Sequence, residues 1–305
     1  MLKIALVAPC YNEGQTVIRF LEAVEQNLKS LNDIRFEVIV VDDSSNDHTP
    51  DLLKSFCFHS ANLSFRPIRL KFNLGHQMAI YQGLAFANSL DVDYVIVMDS
   101  DGEDDPRALP ELISKQGYDI VNVIRGKRSE TAGFKVGYHV YKFLFRFVTG
   151  KEMNFGNYCM ISKKVAGIAV HSSYVHFAAF LLKQKLPRFS IKVDRAPRID
   201  GKSKMNTGGL IYHAFKSLVE FSEDLLMLFL KLFVVIMILF FLALGNVIWQ
   251  KFFAHTAIMG WTSMVAIGLF NLAIISIGFF VLGILLLNLS HQRNQNRQML
   301  FEELS

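Results

Sequence analysis

The spacing of hydrophobic positions changes along this chain, and each change marks an element. From residue 2 to about 125, short runs rich in Val and Ile alternate with stretches of helical spacing. The runs predict strands at Lys3–Ala8, Phe36–Val41, Leu63–Leu70, Tyr94–Met98 and Ile120–Ile124, with helices between the first four. The first helix is the clearest, because Val17, Leu21, Val24, Leu28 and Leu31 fall on one face. Asn12 with Gln15 resembles a capping box ahead of it. Strand and helix in alternation imply an α/β fold with a doubly wound, mostly parallel sheet.

Later the pattern loses its polar positions altogether. No charged residue stands between Leu232 and Trp249, nor between Thr256 and Ser290, and each run is long enough to cross a hydrocarbon layer of about 30 Å as a helix. The expected spans are 225–250 and 262–289, joined by a short loop with Trp249 and Trp261 as interfacial anchors. The alternative, a helical hairpin buried in a soluble core, requires core helices of unusual length. Between sheet and spans, Phe134–Val148 carries Lys135, His139, Lys142 and Arg146 on one narrow face and apolar residues on the rest. A helix of that kind over 134–150 either lies among lipid headgroups or packs on a core with one wet edge.

The remaining segments follow from these. Residues 1–210 form the catalytic unit, 211–224 a juxtamembrane segment and 290–305 a tail. With no signal peptide before the first strand, the polar unit and the tail are expected on the cytoplasmic side of a multi-pass inner-membrane protein. Three widely separated cysteines, Cys10, Cys57 and Cys159, fit a reducing compartment. The net charge of +5 suits anionic lipid headgroups and does not call for nucleic acid. A homo-oligomer is left open.

Chemistry is concentrated where strands end. The segment "VIVMDSDGEDDP", Val95–Pro106, places five carboxylates between Asp99 and Asp105. Such crowding raises each pKa unless a cation or strong donors intervene. It could be an acidic surface loop, but it follows a buried strand, and open α/β sheets bind ligands beyond the carboxyl ends of their strands. Asp99, Asp101 and Glu103 alternate and offer the hard oxygens that suit Mg²⁺ or Mn²⁺. A metal held so keeps positions open for phosphate oxygens. "APCYNEG" (Ala8–Gly14) and "VVDDSSNDHT" (Val40–Thr49) end the first two strands with carboxylates and amides fit to hydrogen-bond a base and ribose. Neither is a glycine-rich phosphate loop. Arg125 and Arg128 follow the fifth strand, and Arg198 and Lys204 stand in "RIDGKSK", a flexible cationic loop.

Together, "APCYNEG", "VDDSSNDHT", "NLGHQMA" (Asn73–Ala79), the DxD of Asp99–Asp101 and "RIDGKSK" resemble the family-2, GT-A-fold glycosyltransferases of the polyprenyl-phosphate type. These are the dolichol-phosphate mannose synthase-like and bacterial GtrB- and ArnC-like enzymes. The resemblance covers nearly the whole chain. It implies a nucleotide-sugar donor held at its nucleoside by Pro9, Tyr11, Asn12 and Glu13 with Asp42 or Asp43. Asp99 would lie near ribose and metal, Asp101 would bind the metal, and Glu103 stands where the family commonly has a metal-binding Gln. Arg125 would approach the acceptor phosphate with Arg128 nearby, while Arg198 and Lys204 would close over the diphosphate. Where related enzymes carry a stretch like "GDFRLLDR", this chain reads "GNYCMISKK" (Gly156–Lys164), so Asn157, Cys159 and Ser162 replace two acids and an arginine. The activity implied is inverting transfer of a hexose from a UDP- or GDP-linked sugar to polyprenyl (undecaprenyl) phosphate. Transfer to a sugar hydroxyl in polysaccharide assembly, or a scaffold that retains the fold without catalysis, are the other readings.

Overall fold

The computed structural model describes residues 1–14, 16–125, 132–193, 214–254, 260–293 and 299–304. They form two compact units: Met1–His139 with Met153–Glu220 and Arg297–Ser305, and Val140–Glu152 with Phe221–Asn296.

The first unit is built on one eight-stranded sheet in the order β7-β5-β6-β4-β1-β2-β3-β8. Strands β1 (Leu2–Cys10), β2 (Ile34–Asp42), β3 (Leu63–Leu70) and β4 (Tyr94–Val97) pair in parallel, with β1 in the centre. In β1, Ile4 to Ala8 are completely buried, as a parallel strand covered on both faces must be. Ile4, Leu6 and Ala8 face helix α1 (Val17–Leu28) and helix α4 (Leu109–Ile113). Ala5 and Val7 face α3 (His76–Ser89), α6 (Lys163–His171) and α7 (Phe177–Lys183). Helix α2 (Thr49–Ser55) joins β2 to β3. All five strands expected from periodicity are present, and β5 runs Ile120–Arg125.

Three strands were not legible from periodicity. β6 (Cys159–Ser162) is antiparallel to both β4 and β5, and β7 (Arg188–Val193) runs parallel to β5 at one edge. The third lies in the tail. Phe301–Glu303 forms β8, antiparallel to β3, so the tail completes the sheet rather than standing apart from it. Phe301 packs edge-on against Phe86 at 5.4 Å, and Leu300 N–H donates to Gln82 Oε1 at 3.1 Å.

Helix α1 starts at Val17 with Thr16 as its N-cap, which corrects the capping box expected at Asn12. Asn12 instead sits at φ 52°, a left-handed conformation that asparagine tolerates, and its side chain serves the neighbouring loop. Gln15 lies outside the described residues. The close approach of α3 to the sheet requires Gly83: a Cβ there would overlap Val7 and come within 2.8 Å of Val41.

In the second unit, α8 (Ser222–Trp249) and α9 (Trp261–Arg293) pack antiparallel, since Phe229 stacks on Phe279 and Phe240 lies near Phe270. A short π-helical turn, Gln250–Ala254, follows α8. Small residues let the pair close: a Cβ at Gly283 would overlap Leu226, and Ser276 Oγ donates to the carbonyl of Phe229 at 3.0 Å. Windows Ser222–Asn246 and Met264–Leu286 are long and apolar enough to cross a membrane, and only 0% and 11% of them are buried. A soluble core hairpin would be covered; this one is bare. Helix α5 (Ala132–Thr149) ends in this unit, with buried Phe145 edge-on to Phe221 while Val140, Phe143 and Phe147 are exposed beside Lys142 and Arg146.

Two substitutions test this packing. Gly83→Ala should lower stability by about 1–3 kcal/mol through overpacking and accelerate hydrogen exchange in β1 and β2. Phe301→Ala should cost about 2 kcal/mol and accelerate exchange in β3 while sparing β1.

Candidate active site at the carboxyl edge of the sheet

Parallel pairing aligns the carboxyl ends of β1, β2 and β4, so the loops following them share one edge. Hydrogen bonds lock these loops together. Asn12 N–H donates to Ser45 Oγ at 2.8 Å, Asn46 N–H to Asn12 Oδ1 at 2.9 Å and Glu13 N–H to Thr49 Oγ1 at 3.0 Å. Gly14 N–H donates to Asp47 Oδ2 at 3.1 Å, and Thr16 Oγ1 donates to the buried Glu13 carboxylate. The β4 loop joins through Ser100 Oγ, which donates to the carbonyl of Pro9 at 2.8 Å. Tyr11 is left 39% exposed, so its ring is open to a planar ligand.

Asp42 and Asp43 are both buried, and both organise backbone. Asp42 Oδ1 accepts from Ser45 N–H at 3.1 Å, and its Oδ2 lies 3.3 Å from Arg69 Nε. Asp43 accepts from Leu74 N–H at 2.7 Å and Gly75 N–H at 2.8 Å, one bond to each oxygen. Burial pushes both carboxyls above the ordinary range, with these donors opposing it. Their direct partners are thus in the protein, and they hold the loops that follow β2 and β3 in place.

The acidic segment resolves in the same way. Asp104 Oδ2 accepts from Asp99 N–H at 2.9 Å, Asp101 Oδ1 accepts from Glu103 N–H at 2.9 Å, and Gly102 takes φ 84°. Asp105 receives both the backbone and the guanidinium of Arg107; burial raises its pKa, but those bonds bring it below the usual range. Tyr158 OH donates to the carbonyl of Asp105 at 3.1 Å. Burial, followed by the charges of Asp104 and Asp105, holds the Tyr158 hydroxyl far above its ordinary pKa. Burial and Asp104 likewise push up the Cys159 thiol, which excludes it as a thiolate nucleophile near neutral pH.

Glu103 is 7% exposed, whereas Asp99 and Asp101 are partly open. Among the described residues, no three His, Cys, Asp or Glu side chains converge to hold a metal unaided. The donor set is all oxygen and incomplete, which fits a hard cation that takes its remaining ligands from phosphate and water.

One residue outside the expected set joins this edge. His76, the first residue of α3, places Nε2 3.4 Å from Asp99 Oδ1 and 3.0 Å from Asn157 Nδ2. The sequence showed "NLGHQMA" after a strand but nothing to bring it against residue 157. Ser162, by contrast, sits at the far end of β6, opposite Tyr94, where its hydroxyl donates to Asp119 and caps α6. Of the expected cations, Arg125 ends β5. Its side chain, with Arg128, Arg198 and Lys204, lies outside the described residues.

Residues 5–180 match the family model described as glycosyl transferase family 2. Over 131 residues the chain is 34% identical to an undecaprenyl-phosphate 4-deoxy-4-formamido-L-arabinose transferase of Pseudomonas savastanoi pv. phaseolicola, covering 42% of this chain and 37% of that one. A protein of the same name from Serratia proteamaculans is 30% identical over 162 residues, covering 52% and 48%. The chain thus spans about half or less of the curated relatives it matches. Among solved structures, mannosyl-3-phosphoglycerate synthase from Rubrobacter xylanophilus superposes with a TM-score of 0.51 at 13% identity, over 73% of this chain and 74% of that one. That likeness is one of fold, GT-A in type. With more than half its length matched, the chain belongs to the family 2 glycosyl transferases.

Proposed function

We propose that the chain is an inverting glycosyltransferase that moves a hexose from a UDP- or GDP-linked sugar to polyprenyl phosphate at the cytoplasmic membrane face. The carrying observation is that Asp99 and Asp101 share one sheet edge with the interlocked loops after β1 and β2. Support for the acceptor comes from the relatives, which are undecaprenyl-phosphate sugar transferases by name, and from two helices long and apolar enough to span a membrane.

On this reading Pro9, Tyr11, Asn12 and Glu13 line the nucleoside pocket, and Asp42 and Asp43 hold its loops in place. Of the expected ligands Asp99, Asp101 and Glu103, the partly open Asp99 and Asp101 would hold Mg²⁺ or Mn²⁺, which when bound offsets charge on the departing diphosphate. Arg125, Arg128, Arg198 and Lys204 position donor and acceptor phosphates. An acceptor phosphate oxygen forms the bond to the anomeric carbon as the bond to the diphosphate breaks on the opposite face. No general base is needed, because a phosphate monoester with a second pKa of about 6 is already largely dianionic at neutral pH. The absence of that requirement matters here, since Asn157 carries an amide and Asp105 is occupied by Arg107.

Three outcomes follow. Asp101→Asn should cut turnover about 100-fold or more, and excess chelator should do the same; full turnover in chelator would remove the metal. The rate should fall as pH drops through about 6, following protonation of the acceptor. A flat profile from about pH 7.5 to 5, or equal glycosylation of a free sugar hydroxyl, would overturn the acceptor. Arg198→Ala should slow transfer far more than Ser162→Ala, measured as kcat/KM on the lipid phosphate.

A further inference from the structure

The contact between His76 and Asn157 contains a mismatch. His76 Nε2 is within 3.0 Å of the Asn157 amide and 3.4 Å from Asp99 Oδ1. A single ring nitrogen cannot accept from an amide N–H and also donate to a carboxylate. Turning the Asn157 amide so that Oδ1 faces the ring lets one N–H serve both oxygens. As placed, Nδ2 faces His76 while Oδ1 is buried without a hydrogen-bond partner, in a residue only 7% exposed; turning the amide puts Nδ2 in that position.

Two further carboxamides share this feature. Gln77, next along α3, uses Oε1 to accept from Phe177 N–H at 2.6 Å while Nε2 has no partner. Asn122, paired with Cys159 on β6 and completely buried, has neither polar atom partnered. In native proteins buried polar atoms are matched by protein, water or ligand, so the unmatched amide of Asn157, which shares His76 with Asp99, points to something that binds there. Carboxamides offer donors and acceptors without charge. A phosphate or an acidic sugar placed here would approach the Asp99 carboxylate, which lies 3.4 Å from the same His76 nitrogen. A neutral sugar hydroxyl or amide both donates and accepts, and the sugar of a nucleotide sugar lies just beyond the diphosphate, whose metal Asp99 is expected to adjoin.

We propose that Asn157, steadied by His76, is a specificity-determining residue that hydrogen-bonds an uncharged group of the transferred sugar. This rests on the glycosyl-transfer reading above. The test uses the full chain in lipid nanodiscs, with affinities for UDP, GDP, UDP-glucose, GDP-mannose and UDP-glucuronate compared before and after Asn157→Leu. Wild type should bind one neutral nucleotide sugar tighter than its nucleoside diphosphate, and should not favour UDP-glucuronate. Asn157→Leu should weaken that nucleotide sugar about tenfold and the nucleoside diphosphate less than twofold. Because leucine removes a buried polar atom that lacks a partner, the thermal midpoint of the ligand-free variant should be unchanged or higher, whereas a merely structural asparagine would lower it. His76→Gln, which keeps a hydrogen-bonding nitrogen near the Nε2 position, should retain most of the discrimination. Equal loss for sugar and diphosphate, no loss at all, or a preference for UDP-glucuronate would overturn the proposal. Failure of wild type to bind any nucleotide would instead bring down the functional reading on which it stands.

Discussion

The edge depends on how closely one helix can approach the sheet. Gly83 lets α3 settle against Val7 and Val41, a distance no larger residue permits. Helices and sheets pack to near-crystal density, so an added methyl there cannot be absorbed without moving one layer. Position along α3 then fixes its first turn: His76 reaches the β4 and β6 loops, and Asp43 accepts from the two N–H groups just before it. Packing at the middle of a helix thus sets hydrogen bonds at its end.

Crowded carboxylates at that edge are made tolerable one at a time. Asp42 and Asp105 each have an arginine, while Asp43 and Asp104 take backbone N–H groups. These four are internal struts. Asp99 and Asp101 are less covered and remain partly open to whatever approaches the edge. The same field silences its surroundings, since burial and the charge of Asp104 keep the Cys159 thiol protonated and leave Tyr158 a hydrogen-bond donor.

How much of this could be read in advance follows from range. β1, β2 and β4 announce themselves because a buried parallel strand is rich in Val, Ile and Leu, and α1 because Val17, Leu21, Val24 and Leu28 keep one phase. β6 and β8 are four and three residues long and antiparallel, too short for any period to show. The acidic loop was legible as a cluster, but which carboxylate serves as strut and which faces outward is a matter of geometry. Asn12 illustrates the gap: its residue type suits a cap, yet the backbone turns through φ 52° and spends its side chain on Asn46. His76 stands 81 positions from Asn157, and nothing local in either segment encodes their meeting.

The return of Phe301–Glu303 to β3 orders events in time as well as space. Leu300 contacts Gln82 across 218 positions of sequence, so the outer edge of the sheet stays open until the ribosome has made both long apolar helices. At about 5–20 residues per second, those 218 positions take on the order of 11 to 44 seconds. During that time β3 presents unpaired backbone that could recruit a strand from another chain. Closing that edge therefore falls to a segment translated only after the apolar hairpin.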